Sequence, residues 1–475
     1  MNSKPRTFLI KTLGCKANQY DSQVLREQLL GRGLRDFSHH EGHEEDEECW
    51  EDGEADVCIV NTCTVTAQSD AKSRQCIRAL KREHPNARMV VTGCYAEMNR
   101  AEAGRIPGVD VVLDNAGKRV LAQRVCAMLG VETRSAGVPA CIPSRGEGIS
   151  FFSEHTRAFV KIQDGCDRKC SYCIVRYARG SSRSREIAEV VQEVERLAAN
   201  GYREVVLTGI HIGSFGGENG RKPHRLPELI ERLECVGGLL RVRLSSIDPN
   251  EVSHELIGAM RSSQKLCHHL HIPLQSGSDR ILRRMNRDYT QKEYLGTVAL
   301  LRKELPEVCI TTDAMVGFPG ETETDFEETR RVVAEVGFAK VHIFPFSSRP
   351  GTPADRLAEH VPAKVIRERV TCLSQEAGAS ARKVKQEIVG KTVEVLVERA
   401  WSSNGRRALR SAGVPACIFS PQETRGAADM YEGFSSGYLR TAFVRRKDAV
   451  QDLRNRITKV RAIEFDERFL YGEEV

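Results

Sequence analysis

The first third of the chain alternates short β-branched apolar runs with amphipathic stretches of helical length. The runs TFLIKTLG (7–14), DVCIVNTC (56–63), ARMVVTGC (87–94) and DVVLDN (110–115) are spaced as strands, and segments around 19–32, 68–83 and 119–129 carry the helical pattern between them. Strands apolar on both faces and separated by helices predict βαβ units and a covered parallel sheet, hence an open parallel α/β domain over about 5–130. HHEGHEEDEECWEDGEAD (38–55) interrupts it. Nine of the fourteen residues from Glu41 to Glu54 are acidic, which predicts a solvated loop in preference to metal binding by its His and Glu.

A second series follows the Pro/Gly-rich AGVPACIPSRGEG (136–148). Strand-like runs recur at AFVKIQ (158–163), EVVLTGIHI (204–212), LRVRLSSI (240–247), HHLHIPLQ (268–275), VCITTDAMVGF (308–318) and KVHIFPF (340–346), with helical patterns after them such as 185–200 and 323–337. Six βα units over about 150–387 predict a partial (β/α)6 barrel with its chemistry at the carboxyl ends of the strands. A long helix over 362–387 leads to KTVEVLVERA (391–400) and GYLRTAFVRR (437–446), strands with Gly-rich turns that predict a small all-β barrel over 388–455.

Composition narrows the function classes. At 475 residues, 40% hydrophobic and 29% charged, the chain reads as a soluble protein of roughly three domains. No apolar run reaches the ~18 residues of a membrane span and the start carries no signal-peptide core, so a cytoplasmic location and no membrane partner are expected. Sixteen cysteines in that compartment point to metal ligation rather than disulfides. The net charge of +6 is mild, but residues 381–460 hold sixteen Lys and Arg against eight Asp and Glu. The tail is the basic end.

The sharpest signal is Cys166-Asp-Arg-Lys-Cys170-Ser-Tyr-Cys173, just past the first barrel strand. Three thiolates at this spacing can each hold one iron of a 4Fe–4S cluster and leave the fourth iron open, where the amino and carboxylate groups of S-adenosylmethionine fit. A structural zinc site would want a fourth protein ligand and favours paired CxxC. A second set is clearer from position than from spacing: Cys15, Cys63 and Cys94 each close a strand, and parallel strands bring such ends to one edge. They suit a second open cluster, or are three independent buried cysteines.

KTLGCKANQYDSQ, VNTCTVT, VTGCYAE, KIQDGCDRKCSYCIVRYARG, LTGIHIG, RLSSIDP, LHIPLQSGSDRILRRMNRDYT, VGFPGET and FPFSSRPGTPA together resemble the radical S-adenosylmethionine methylthiotransferase family over nearly the whole chain. The opening is most similar to the bacterial branch that acts on N6-threonylcarbamoyladenosine at position 37 of tRNA. The resemblance implies two 4Fe–4S clusters, an auxiliary one on Cys15, Cys63 and Cys94 and a radical one on Cys166, Cys170 and Cys173. It also implies that S-adenosylmethionine serves as both methyl donor and radical source, that the central barrel is of the radical-SAM kind, and that the C-terminal barrel is TRAM-like and binds RNA. The expected partners are the tRNA anticodon loop, a low-potential electron donor and a sulfur source. A methylthio group would join C2 of the purine, a carbon whose hydrogen acid–base catalysis can barely address, and the base would leave the loop stack to reach it. Isopentenyladenosine in tRNA or a ribosomal-protein aspartate would be the acceptor in sister activities, and an iron–sulfur RNA-binding or redox-sensing protein is the non-enzymatic alternative. Arg176, where the family more often has proline, and the 38–55 insertion depart from the pattern without removing a ligand.

Cofactor contacts are expected at Thr208, Gly209, Ser245, Ser246 and Gln275, which follow barrel strands, and at Gly317 and Gly320, whose alternative is an ordinary Gly-Pro turn. His211 and His271 read as hydrogen-bonded interior histidines rather than metal ligands. SAGVPACI occurs twice, at 135–142 and 411–418, and reads as an inert duplicated surface segment despite its Cys141 and Cys417.

Overall fold

The computed structural model describes residues 5–40, 54–131, 148–152, 155–217, 224–401, 429–445 and 452–475. Most of the 38–55 insertion and both SAGVPACI copies lie outside the described residues.

The N-terminal sheet is parallel throughout, with β1 (Thr7–Thr12), β2 (Arg35–Asp36), β3 (Val57–Thr62), β4 (Arg88–Gly93) and β5 (Val111–Val112) in the order β2-β1-β3-β4-β5. Helices α1 (Lys16–Leu30), α2 (Ala67–Glu83), α3 (Cys94–Met98), α4 (Arg100–Gly104) and α5 (Leu121–Met128) connect and cover it. The period-2 alternation of the strands splits the core in two. Phe8, Ile10, Val57, Ile59 and Val90 pack on one face with Leu25 and Leu29 of α1 and Val125 of α5, while Leu9, Cys58, Val60, Met89 and Val91 pack on the other with Ile77 and Leu80 of α2. The strand order reverses between β1 and β3, the place where open α/β sheets form a crevice at their carboxyl ends.

The central unit is a six-stranded partial barrel. Its strands are β6 (Ala158–Lys161), then, past the short ribbon β7 (Gln163–Asp164) and β8 (Arg183–Ser184), β9 (Glu204–Thr208), β10 (Arg241–Leu244), β11 (His269–His271), β12 (Cys309–Val316) and β13 (Lys340–Pro345). Parallel pairing runs β6-β9-β10 and β11-β12-β13, and isolated bridges Val242–Leu266 and Ser246–His271 join the halves. Outer helices α7 (Ile187–Ala199), α8 (Leu226–Glu234), α9 (His254–Ser262), α10 (Asp279–Arg284), α11 (Gln291–Glu304) and α12 (Glu323–Val336) follow the short α6 (Val175–Arg179), which comes just after the three-cysteine loop. Every barrel strand stops short of its apolar run, because the carboxyl ends unwind into the loops that build the site.

Helix α13 (Ala363–Ile388) leads into a closed five-stranded barrel of β14 (Thr392–Trp401), β15 (Asp429–Ser435), β16 (Arg440–Arg445), β17 (Ile457–Phe465) and β18 (Leu470–Glu474), ordered β14-β15-β16-β18-β17. Its last two strands lie beyond residue 455, where the sequence pattern placed the module's end. Counted over 388–475 it has fifteen Lys and Arg against twelve Asp and Glu, so the last strands offset much of the basic excess.

This module is anchored at the amino ends of the central strands, opposite the site loops. Arg241 donates to the carbonyls of Glu394 (2.6 Å) and Phe434 (3.2 Å), and Arg243 to those of Ser435 (3.1 Å) and Ser436 (2.8 Å). Both arginines also hold the buried Glu204 carboxylate. Deleting the module would take four carbonyl acceptors from these two guanidiniums, so it is not a detachable appendage.

Candidate active site

The two thiol triads are built differently and lie on neighbouring elements. Cys15 is the N-cap of α1 just after β1, Cys63 directly follows β3, and Cys94 opens α3 directly after β4. The registers Thr12–Asn61 and Thr62–Gly93 align the three strand ends. Two glycines allow the close approach. Gly14, at φ +100°, leaves so little space that a Cβ would lie 2.8 Å from the Cys63 sulfur, and Gly93, at φ +96°, would place one 2.4 Å from the Thr62 carbonyl. Burial pushes the Cys63 thiol up; the Val65 N–H opposes this, and the neighbouring Cys15 and Cys94 add to it.

Cys166, Cys170 and Cys173 lie in the loop between β7 and α6. Cys166 N–H donates to the Gly180 carbonyl (3.0 Å) and Cys173 N–H to that of Cys170 (3.2 Å), so the loop is closed by its own backbone. Burial pushes the Cys173 thiol up to about 12, opposed by the Val175 N–H and increased by Cys170 and Cys166. All six thiols are free of disulfides. Three free thiols brought together in each set are donors that iron takes as thiolates, so both donor sets fit iron. Among the described residues, the three-ligand group with all donor atoms within 4.8 Å of one another is His211, Asp248 and Glu251, and neither thiol triad.

Helix α3 packs on α6, which sets the sheet edge carrying Cys94 against the loop carrying Cys173. A buried charge cluster fixes this seam. Asp21 of α1 accepts from Lys118 (2.9 Å), Lys161 and Arg179 (3.5 Å), and Arg179 also donates to Asp164 (2.8 Å) and to the Asn18 side-chain oxygen. Asn18 in turn donates to the Leu13 (2.8 Å) and Thr62 (2.9 Å) carbonyls beside Cys15 and Cys63. Burial works against the Arg179 charge, but Asp21, Cys94, Asp164 and Cys15 outweigh it, so one guanidinium spans from the loop to the sheet-edge thiols.

A second polar group supports the loop triad. Arg287 donates to the Cys170 sulfur (3.4 Å) and to Asp248. His211 lies 2.7 Å from Glu251 and 3.5 Å from Asp248; burial disfavours its charge, yet Asp248, Cys166 and Glu251 push its pKa up to about 11. Arg168 also reaches Asp248 (3.5 Å) and Glu251 (3.3 Å). Two guanidiniums and an imidazolium already neutralise these carboxylates, so the histidine is an ion-paired interior group. His271 likewise bonds Thr311 (3.0 Å) and lies 3.3 Å from Asp313.

The expected cofactor residues divide. Gln275, at φ +60°, has a buried side-chain oxygen with no partner, the signature of an acceptor awaiting a ligand. Ser245 and Ser246 open toward the loops after β10, beside His271. Thr208 is buried at the end of β9, and Gly209 packs against the Gln163 carbonyl rather than open space. Gly317 faces Ile366 of α13, and Gly320 faces Arg284 and Glu359, so both close approaches are to the chain itself. Arg176 sits inside α6 without disturbing it, its carbonyl accepting from Gly180 N–H (2.9 Å).

Sequence reasoning missed Gln163, Asp21, Arg179, Arg287 and Lys16. Gln163 donates to Gly165 O (2.7 Å) and Ser182 Oγ (2.9 Å) and accepts from Ile210 (3.0 Å) and His211 (2.8 Å) N–H, tying the cluster loop to the loop after β9. All but Gln163 are charged residues on polar segments, and no signal in the sequence marked them. Inside the barrel, Lys16 lies 5.9 Å from the Phe159 ring and 6.0 Å from the Tyr438 ring. Burial works to raise the Tyr438 phenol, but Lys16, Arg157 and Arg243 outweigh it and hold it below the usual range. This part of the barrel carries surplus positive charge.

Residues 160–333 match the family described as the radical SAM superfamily, and residues 7–114 match uncharacterized protein family UPF0004. The chain is 38% identical over 397 residues to a threonylcarbamoyladenosine tRNA methylthiotransferase of Thermotoga maritima, covering 83% of this chain and 87% of that one. It is 34% identical over 463 residues to the protein of the same name from Bacillus subtilis, covering 96% and 94%. A tRNA-2-methylthio-N(6)-dimethylallyladenosine synthase of Caldicellulosiruptor saccharolyticus is 36% identical, over 84% and 83%. Among solved structures, a radical S-adenosylmethionine methyltransferase of Kitasatospora setae superposes with a TM-score of 0.53 at 17% identity, over 74% of this chain and 77% of that one, a likeness of fold alone.

Proposed function

Since this chain belongs to the tRNA methylthiotransferase family of radical S-adenosylmethionine proteins, we propose that it transfers a methylthio group to C2 of N6-threonylcarbamoyladenosine at position 37 of tRNA. The family implies S-adenosylmethionine and a 4Fe–4S cluster as cofactors. The observation that carries the reading is that the α3–α6 contact brings the sheet edge carrying one thiol triad to the loop carrying the other.

Cys166, Cys170 and Cys173 would hold the radical cluster, and Cys15, Cys63 and Cys94 a second, auxiliary cluster. When bound, the first supplies an electron that cleaves S-adenosylmethionine to a carbon radical able to take an unactivated hydrogen, and the second presents the sulfur to be transferred. The chain's own residues do the positioning. Arg287 sets positive charge beside the Cys170 sulfur, Gln163 holds the loop, and the Asp21–Arg179 cluster holds the seam between the two triads. Gln275 offers its unpartnered oxygen to S-adenosylmethionine, with Ser245 and Ser246 nearby. Thr208, Gly209, Gly317 and Gly320 shape the surrounding loops.

The C-terminal barrel acts as the RNA-binding module that brings the anticodon loop to the site, and 5–130, 150–387 and the barrel from 388 onward work as the three units. A low-potential electron donor and a sulfur source act as external partners, in the cytoplasm. Among the described residues no helix is long and apolar enough to cross a membrane.

Mass spectrometry of tRNA nucleosides from a strain lacking the gene tests the reading. Loss of 2-methylthio-N6-threonylcarbamoyladenosine, with its unmethylthiolated precursor accumulating, supports it. Loss of the methylthio group from isopentenyladenosine instead would move the chain to the sister activity, which its 36% identical relative makes the second reading.

A further inference from the structure

The cations named above around the barrel interior and along its seams with the neighbouring units are paired with carboxylates, and among the described residues Lys16 is not. Lys118, Lys161 and Arg179 share Asp21 and Asp164; Arg185 holds Glu193; Arg157 holds Glu398; Arg241 and Arg243 hold Glu204. Around Lys16, Arg157 and Arg243 add positive charge, and the Glu204 carboxylate that attracts it is already held by Arg241 and Arg243. The Lys16 ammonium faces Phe159 and Tyr438, and among the described residues no hydrogen-bond acceptor or carboxylate pairs with it. A half-buried cation left without an acid is costly unless something else supplies the negative charge.

Its place in the fold says what that would be. Lys16 directly follows Cys15 and begins α1, the helix laid along β6 on the open side of the partial barrel. Behind the sheet-edge thiols it therefore reaches the barrel interior, where the ring pairs His269–Tyr438 (4.9 Å) and His271–His342 (5.8 Å) line the space. In an adenine, C2 and the N6 substituent flank N1 on the same edge. A base presenting C2 to the thiol triads extends its N6 arm into the neighbouring space. The threonylcarbamoyl arm ends in a carboxylate; an isopentenyl arm is neutral and apolar.

We propose that Lys16 is a specificity-determining residue that pairs with the threonyl carboxylate of the substrate base. This rests on the threonylcarbamoyladenosine reading above. An apolar arm would leave Lys16 unpaired, so the residue selects by rejection as well as attraction. Tyr438, brought to the same place by the turn between β15 and β16, closes the floor of the pocket, so the C-terminal barrel takes part in reading the base as well as binding RNA.

The test uses the reconstituted full chain and anticodon stem-loops carrying threonylcarbamoyladenosine as the free acid or as its methyl ester. Fluorescence anisotropy reads binding and mass spectrometry reads product, and the acid-to-ester ratio cancels the phosphate contribution. The unaltered chain is expected to favour the acid about 10- to 100-fold. K16M should bind both stem-loops as the unaltered chain binds the ester, with iron content and the electron paramagnetic resonance spectrum unchanged, and K16R should keep part of the preference. Equal binding of acid and ester by the unaltered chain overturns the proposal without recourse to any variant. So does a K16M protein that keeps the full preference while its iron content falls, which would assign the charge to the cluster at Cys15. If K16M fails to fold, K16R decides: preference retained supports the pairing, and preference lost overturns it. Conversion of an isopentenyladenosine stem-loop, with neither acid nor ester converted, would instead sink the underlying substrate reading.

Discussion

Cys166, Cys170 and Cys173 come from eight consecutive residues of one loop, whereas Cys15, Cys63 and Cys94 come from three strands spread over eighty residues. The loop triad is closed by local hydrogen bonds and braced from the surrounding barrel by Arg287 and Gln163, by the Met285 and Arg284 carbonyls that accept from Ser171, and by Asn286 donating to the Lys169 carbonyl. The sheet-edge triad exists only when β1, β3 and β4 pair in register, two glycines let the chain pass, and the Asp21 cluster holds the barrel against it. A site made by spacing survives changes in the fold that a site made by topology does not. Under the proposed function, the loop triad generates the radical and the sheet-edge triad delivers the sulfur.

The largest effects should come from the thiols themselves. Cys166→Ala, Cys170→Ala or Cys173→Ala should reduce 5′-deoxyadenosine formation to background in a chromatographic assay. Cys15→Ala, Cys63→Ala or Cys94→Ala should leave that product readily detectable and abolish the methylthiolated nucleoside. Identical behaviour of the two sets would erase the distinction between them.

Next comes the seam. Asp21→Ala leaves Lys118, Lys161 and Arg179 without their shared carboxylate and should destabilise the contact between sheet and barrel by about 3–5 kcal/mol, read by denaturant unfolding. The same change should lower methylthio transfer far more than 5′-deoxyadenosine formation, because it moves one triad relative to the other. Equal loss of both activities at unchanged stability would show that the seam does not position the edge triad.

This seam and its neighbours also set a pH dependence. Asp21, Asp164 and Glu204 are desolvated, yet their cationic neighbours hold all three carboxyls below their usual range. A carboxyl with a depressed folded-state pKa stabilises above its unfolded value, near pH 4, and that stability drains away as pH falls through the folded value. Glu27 runs the other way, since burial pushes its carboxyl up against the Phe151 and Ser150 N–H groups, so its protonation offsets part of the loss. Thermal midpoints measured downward from pH 6 should hold near pH 5 and fall steeply below 4, and the slope should be shallower in Asp21→Asn. A flat profile would mean that these carboxylates are not what the fold rests on.

The comparison also explains what the sequence revealed. The CxxxCxxC loop was legible because its geometry is written in its spacing, and the edge triad because apolar runs marked three strands and each ended in cysteine. The two-residue strand β2 was missed, as were β17 and β18 at the end of the small barrel, whose inward positions are few. Lys16, Asp21, Arg179 and Arg287 were invisible for another reason. Each is an ordinary charged residue on a surface-like segment, and only the docking of sheet on barrel removes it from water. At Gly317 and Gly320 nothing in the sequence signalled that a Cβ would meet Ile366, Arg284 and Glu359, a close packing that only the fold creates.

The smallest effect expected is none. Cys141→Ser with Cys417→Ser should leave iron content and methylthiolation rate unchanged, and loss of about half the iron would assign one of these thiols to a cluster.

The most direct measurement is iron per chain after anaerobic reconstitution, taken together with S-adenosylmethionine cleavage, for the Cys15→Ala/Cys63→Ala/Cys94→Ala triple variant. The account predicts about four irons, against about eight in the unaltered chain, with cleavage to 5′-deoxyadenosine still running. About eight irons retained, or cleavage lost with four irons present, would contradict it.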